Sequence, residues 1–186
     1  MYTNFRLERK LTCIVLVAIT CLTFAFVGCE DEVTLPPGTL AVSAEGPEGS
    51  ELLLVDIQTQ LQTNITNRPG SHSHPVFSPD GKKILYITES RGQISLYQYS
   101  VADKTTSQLP VSPTSAAKWA PDGKSIIFYC DKKICVANTK GEITSQWSPG
   151  DYLKIIETNG PPSRSAESGD LAFLAENSKQ EVDIYV

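Results

Sequence analysis

Histidine is nearly absent from this chain. His72 and His74 are its only two, which leaves little to build acid–base or metal chemistry on. A serine hydrolase needs a histidine beside its nucleophile, and no Gly-x-Ser-x-Gly elbow occurs anywhere in the sequence. A protein zinc site takes three or four ligands. His72 and His74 flank Ser73 in what reads as the loop before a strand, with no third ligand identifiable, so the expectation is two loop histidines and no metal. Gly-rich phosphate loops and EF-hand patterns are missing as well. Positive charge is also scarce. The chain carries 16 basic and 21 acidic residues, and three of the basic ones, Arg6, Arg9 and Lys10, cluster at the N-terminus. Removing those three together with Glu8 takes the net charge from -5 to about -7, which leaves no basic surface for nucleic acid.

Those N-terminal charges precede an apolar run from Leu11 to Val27, interrupted by Thr12, Thr20 and Thr23. This is the pattern of an export signal, and it falls short of the roughly 20 residues that a spanning helix needs. The run closes on Phe26-Val27-Gly28-Cys29, which resembles the bacterial lipobox, with phenylalanine where leucine is usual. The resemblance implies that residues 1–28 are removed and that Cys29 is acylated, anchoring the chain to a membrane through buried acyl chains. The acidic residues that follow, 30–32, read either as a solvated tether or as resembling the export tags of some surface lipoproteins. The expected location is the bacterial cell envelope, at the outer membrane on its periplasmic or surface face.

Of five cysteines, Cys13 and Cys21 leave with the signal and Cys29 takes lipid, so Cys130 and Cys135 remain as a pair in an oxidising compartment. A two-residue loop at Lys132-Lys133 places Cys130 opposite Cys135 and favours a disulfide, a local staple rather than a redox centre. A turn at Asp131-Lys132 places Cys130 opposite Lys133 and is expected to separate the thiols.

What the chain does have is a repeated turn. Pro79-Asp80-Gly81 recurs as Pro121-Asp122-Gly123, 42 residues on. Each copy follows a segment bearing an aromatic, Phe77 or Trp119, and precedes an apolar run, Ile84 to Ile87 or Ile126 to Tyr129. A period of about 40 to 45 residues built from short strands and turns indicates propeller blades. Near-continuous apolar second strands fit sheets covered on both faces. Weaker copies extend the plan in both directions, with Val33 to Gly38 laid on Val76 to Gly81, and Ser165 to Gly169 laid on Trp119 to Gly123. The predicted blades are 33–66, 74–110, 117–148 and 163–186, with an insert at 151–162 whose Tyr152 to Ile156 reads as an extra strand or a short helix. The expected fold is all-β, a propeller-like array of about four four-stranded antiparallel blades, open or incomplete, with the last blade ending after its third strand. Val186 then either ends a truncated product or leaves an edge to be completed from elsewhere.

The segments Phe77 to Leu85 and Trp119 to Phe128 resemble the W-S-P-D-G-K-x-I-x-F repeat of TolB-like, WD-related β-propellers. That resemblance implies structural roles. Pro79, Asp80, Gly81, Pro121, Asp122 and Gly123 shape turns, and Phe77 and Trp119 pack between blades, so no catalytic residue and no cofactor is expected. It also implies an exported propeller that binds a protein or peptide. Two alternatives accompany that reading: the propeller part of an oligopeptidase-like hydrolase without its catalytic domain, and a structural protein that self-associates through open edge strands. Asn64-Ile65-Thr66 fits a glycosylation sequon, which carries no significance in a bacterial protein. Tyr86, Tyr97, Tyr99, Phe128, Tyr129 and Trp147 are expected between blades or, for some, in an exposed partner patch.

Overall fold

A computed structural model describes residues 33–150, 153–157 and 160–186. Cys29, the apolar run and the acidic tether lie outside the described residues. Within Thr34–Val186 the chain is all-β, with no α-helix among the described residues.

Four antiparallel sheets follow one another along the sequence. The first holds β1 (Thr39–Gly46), β2 (Gly49–Asp56) and β3 (Gln62–Asn64) in that order. Residues 33–35, expected as the opening strand of this repeat, form none. Leu35 instead packs against the apolar cluster between the first two sheets. The second sheet runs β4 (Ser71–Phe77), β5 (Lys83–Ser90), β6 (Gln93–Ser100), β7 (Thr105–Gln108). The third repeats it with β8 (Ala117–Trp119), β9 (Ser125–Cys130), β10 (Lys133–Asn138) and β11 (Ile143–Trp147).

The fourth sheet is irregular. Two short strands, β12 (Leu153–Ile155) and β13 (Ser163–Arg164), share one edge of β14 (Leu171–Asn177), and β15 (Val182–Tyr185) takes the other. The insert is therefore a strand at Leu153–Ile155. It breaks the first strand of this sheet in two, with Ile155 opposite Ala175 and Ser163 opposite Ala172.

The core is divided among three clusters, each lying between consecutive sheets. Leu52 and Leu54 of the first sheet meet Ile84, Tyr86 and Tyr99 of the second. Leu85, Ile87 and Leu96 meet Trp119, Ile126, Phe128 and Cys135. Ile127, Tyr129 and Ile134 meet Ile155, Phe173 and Ala175. Successive side chains of a strand point to opposite faces. For that reason Ile84 and Tyr86 serve one interface while Leu85 and Ile87 serve the next, and β9 divides in the same way. This explains why β5 and β9 are apolar without alternation: both faces are covered. Each fully buried aliphatic or aromatic side chain contributes about 1.5–3 kcal/mol, so these radial contacts dominate stability.

The Pro-Asp-Gly turns fix the start of β5 and β9. Gly81 and Gly123 adopt φ of 69° and 65°, a left-handed conformation that costs residues with a Cβ, and their amides donate to Ser78 O and Ala120 O at 2.8 and 2.9 Å. Asp80 Oδ1 accepts from Ser78 Oγ at 2.6 Å and from the Lys82 amide at 3.1 Å. Asp122 Oδ1 accepts from the Lys124 amide at 2.8 Å.

The Ser78 hydroxyl, then the Lys82 amide, hold the Asp80 carboxyl below its ordinary value of 3.8. A depressed carboxyl stabilises the fold above its unfolded value, and that contribution is lost as pH falls through the lower folded-state value. Asp80 is exposed, so the effect is small, under about 1 kcal/mol. Denaturant midpoints measured against pH are expected to place Asp80→Asn below the parent at neutral pH and to converge with it in acid. A gap that persists unchanged below the carboxylate range would show that the Asp80 charge is not its source.

Candidate functional site

The repeat residues occupy packing and turn positions. Trp119 is buried against the second sheet, and Phe77 is half-buried against the first, so each aromatic faces the preceding sheet. The fourth copy is shifted by one residue from its expected alignment. Phe77 pairs with Ile84, Trp119 with Ile126 and Arg164 with Leu171, which puts Arg164 rather than Ser165 in the aromatic position. Glycine supplied the misleading anchor. Here Ser165 Oγ accepts from the Glu167 and Ser168 amides at 3.3 and 3.2 Å, and the left-handed residue comes later, at Gly169 with φ 78°. Arg164 Nε donates to Gly169 O at 3.1 Å.

Both histidines lie within β4, not in the loop before it. A bulge between Ser73 and Val76, with His74 at φ 56°, turns them apart. His72 is 1% exposed, Nε2 donating to Arg68 O at 3.0 Å and Nδ1 standing 2.9 Å from Thr88 Oγ1. A carbonyl only accepts, so Nε2 carries the hydrogen, and a neutral ring then accepts the Thr88 hydroxyl at Nδ1. His72 also sits edge-on to Tyr86 at 5.9 Å. His74 is exposed with Nδ1 2.9 Å from Ser73 Oγ. Among the described residues no group of three or more His, Cys, Asp or Glu could hold a metal ion.

The hairpin of β9 and β10 turns at Asp131 and Lys132, whose φ values of 48° and 60° are those of a two-residue primed turn. Cys130 consequently faces Lys133, and Cys135 faces Phe128. This is the register expected to part the thiols, yet Cys130 and Cys135 are joined, with Cα atoms 5.9 Å apart. Period-two alternation puts both on one face as diagonal neighbours, a relation that a bridge can span. Cys135 lies in the core shared with the second sheet.

Two clefts open between sheets. One lies where the β1–β2 turn, Pro47 to Gly49, meets Asn67 to Gly70. Arg68 there covers the Tyr97 ring at 5.8 Å, and Tyr97 stacks on Tyr86 at 5.6 Å. The neighbouring sequon residues are structural. Asn64 Nδ2 donates to Glu51 Oε2 at 2.6 Å, Asn64 Oδ1 accepts the Thr66 amide at 2.8 Å, and buried Thr66 Oγ1 accepts the Leu52 amide at 2.9 Å.

The second cleft lies between the third and fourth sheets and is lined by Trp147, Leu171, Phe173, Tyr185 and Val186. Its aromatics form a row. Trp147 meets Phe173 edge-on at 5.0 Å, and Phe173 stacks on Tyr185 at 5.9 Å. Phe173 is 7% exposed, whereas Trp147 is 44% exposed. Of the aromatics expected between sheets, Tyr86, Tyr99, Phe128 and Tyr129 are buried, and Trp147 stands at a cleft rim instead.

Consecutive antiparallel sheets stacked flank to flank, with cores only between them, define an open β-propeller-type array. No protein-family model matches the sequence. Among solved structures the chain is similar to an oligogalacturonate lyase in complex with manganese, with a TM-score of 0.61 and 18% identity over 79% of this chain and 44% of that one. It is likewise similar to the putative TolB from Agrobacterium tumefaciens, with a TM-score of 0.59 and 18% identity over 79% of this chain and 56% of that one. TolB from Acinetobacter baumannii gives a TM-score of 0.56 and 20% identity over 79% and 40%. The likeness is one of fold, and the chain spans about half the length of the structures it matches.

Proposed function

We propose that this chain is a non-enzymatic module, exported and held at the bacterial envelope by acyl chains on Cys29, that binds a protein or peptide partner in the cleft between its third and fourth sheets. The observation that supports the cleft is its aromatic row, Trp147, Phe173 and Tyr185, with the Trp147 ring 44% exposed at the rim. Half-exposed tryptophan and tyrosine beside buried apolar walls suit an extended apolar peptide, since such rings supply large contact area at low entropic cost. The net negative charge favours partners that are neutral or basic and disfavours nucleic acid.

Trp147 is also the natural reporter, because the other tryptophan, Trp119, is buried. Titration with a library of extended apolar peptides is expected to change its fluorescence saturably, and Trp147→Ala is expected to abolish the response while leaving the circular dichroism spectrum intact. A response that never saturates, or that survives in Trp147→Ala, removes the cleft from the reading. Cys29→Ser tests the anchor separately. It is expected to eliminate incorporation of a labelled acyl chain, and labelling that persists would rule out Cys29.

A further inference from the structure

We propose that Lys118, Ser163 and Arg164 form a site for a carboxylate of the partner, at the inner end of the interface between the third and fourth sheets. Pairing fixes where the two cations project. Lys118 lies directly opposite Ile127, and Arg164 directly opposite Leu171. Directly opposed residues share a face of their sheet, and Ile127 and Leu171 both pack in the core between the third and fourth sheets. The cations therefore project from facing walls of one interface, each on an edge strand of its sheet, β8 and β13. Lys118 Nζ donates to Ser163 Oγ at 2.9 Å, which brings those strands side by side.

Neither cation has a carboxylate partner among the described residues, whereas Lys154 is paired with Glu176 at 3.5 Å. Like charges on facing walls repel, and an anion between them removes that cost. The donors suit an oxyanion. Ser163 Oγ accepts from Lys118 and keeps its own hydrogen to donate. Arg164 Nε donates to Gly169 O at 3.1 Å, which anchors the guanidinium and leaves its Nη donors for a carboxylate. Arg164 is also not the filler that the repeat plan calls for. Its equivalent Trp119 is buried between the second and third sheets, while Arg164 and Lys118 are both exposed. The negative net charge acts on approach at long range, and these donors act on contact. That the oxyanion is a peptide carboxylate rests on the partner class proposed above. None of the three donor residues lines the aromatic cleft.

The test is a nuclear magnetic resonance titration of the ¹⁵N-labelled full chain in a mild non-ionic detergent. Three probes are used: an acetylated and amidated peptide of alternating glycine and glutamate, its glutamine counterpart, and inorganic phosphate. The glutamate peptide is expected to shift the Ser163 amide and the Arg164 Nε–H resonance saturably, and the glutamine peptide to leave both in place. Lys118→Met and Arg164→Met are each expected to weaken binding about tenfold, the loss of one hydrogen bond to a charged group. Lys118→Gln keeps a donor to Ser163 and is expected to show the same loss, through charge alone. Glutamate-peptide binding retained in Trp147→Ala would support this site independently of the cleft. No saturable shift with the glutamate peptide, an equal response to the glutamine peptide, or full affinity in Lys118→Gln and Arg164→Met overturns the site. Phosphate binding as tightly as the glutamate peptide overturns the peptide as its occupant.

Discussion

Phe128→Ala is expected to lower stability by about 3–5 kcal/mol, the range for truncating a large buried aromatic ring. Phe128 is fully buried between the second and third sheets, where Leu85, Trp119 and Cys135 belong to the same core. Its cavity cannot be filled by small movements of β9 alone, because the other face of that strand holds Ile127 and Tyr129 against the fourth sheet. The same argument gives Ile127→Ala a cost of about 2–5 kcal/mol through a different interface. The two residues are adjacent on β9, and removing Ile127 releases the face that keeps the strand from relaxing into the Phe128 cavity, so the double variant is expected to cost less than the sum of the single ones by at least about 0.5 kcal/mol. Chemical denaturation of the single and double variants measures this. Full additivity would mean that β9 does not move to fill either cavity.

Replacing both Cys130 and Cys135 by serine is expected to cost about 2 kcal/mol, the lower end for a disulfide because the loop it closes is short. The bridge ties the two central strands of the third sheet next to a turn whose two residues, Asp131 and Lys132, both hold left-handed conformations without glycine. Such a turn is costly to populate in an unfolded chain, so the bridge has more to restrain than loop length alone suggests. Unfolding of the parent with and without reductant should reproduce the loss seen in the double-serine variant. A parent insensitive to reductant in the unfolded state, with no difference from the variant, would show that the bridge contributes nothing.

How much could be read beforehand follows from which interactions are local. The Pro-Asp-Gly turns announced themselves because their chemistry is complete within six residues: Asp80 caps its own loop, and Gly81 supplies the left-handed φ. Burial of β5 and β9 on both faces was equally legible from unbroken apolar runs. The fourth sheet was not, because β12 becomes a strand only by pairing with Glu176 and Ala175, some twenty residues downstream. Its aromatic position was missed because Arg164 replaces an aromatic and Glu167 stands where the aspartate does, the loop amides being accepted by Ser165 instead. The bridge was inferred for the wrong register, since a diagonal relation across a hairpin depends on the turn type. For the candidate site, the sequence offered Trp147 only as one aromatic among several. Its position depends on Phe173 and Tyr185, which belong to a different sheet.

A second recurrent device lies in the hairpin loops. Asn138 and Asn177 each use Oδ1 to accept two loop amides while Nδ2 donates to Glu142 or Glu181 four residues on, at 2.6 and 2.9 Å. The shared pattern, Asn followed by Ser or Thr, Lys, any residue and Glu, closes hairpins in the third and fourth sheets although the connected strands differ. It is a loop solution used twice, not a mark of blade period.

Because every core joins only nearest neighbours, cooperativity in this molecule is a chain of handshakes rather than one collective grip. Among the described residues the two middle sheets are clasped on both sides, and the first and fourth on one side only. Within these four sheets, thermal opening is accordingly expected to start at the first and fourth and to travel inward.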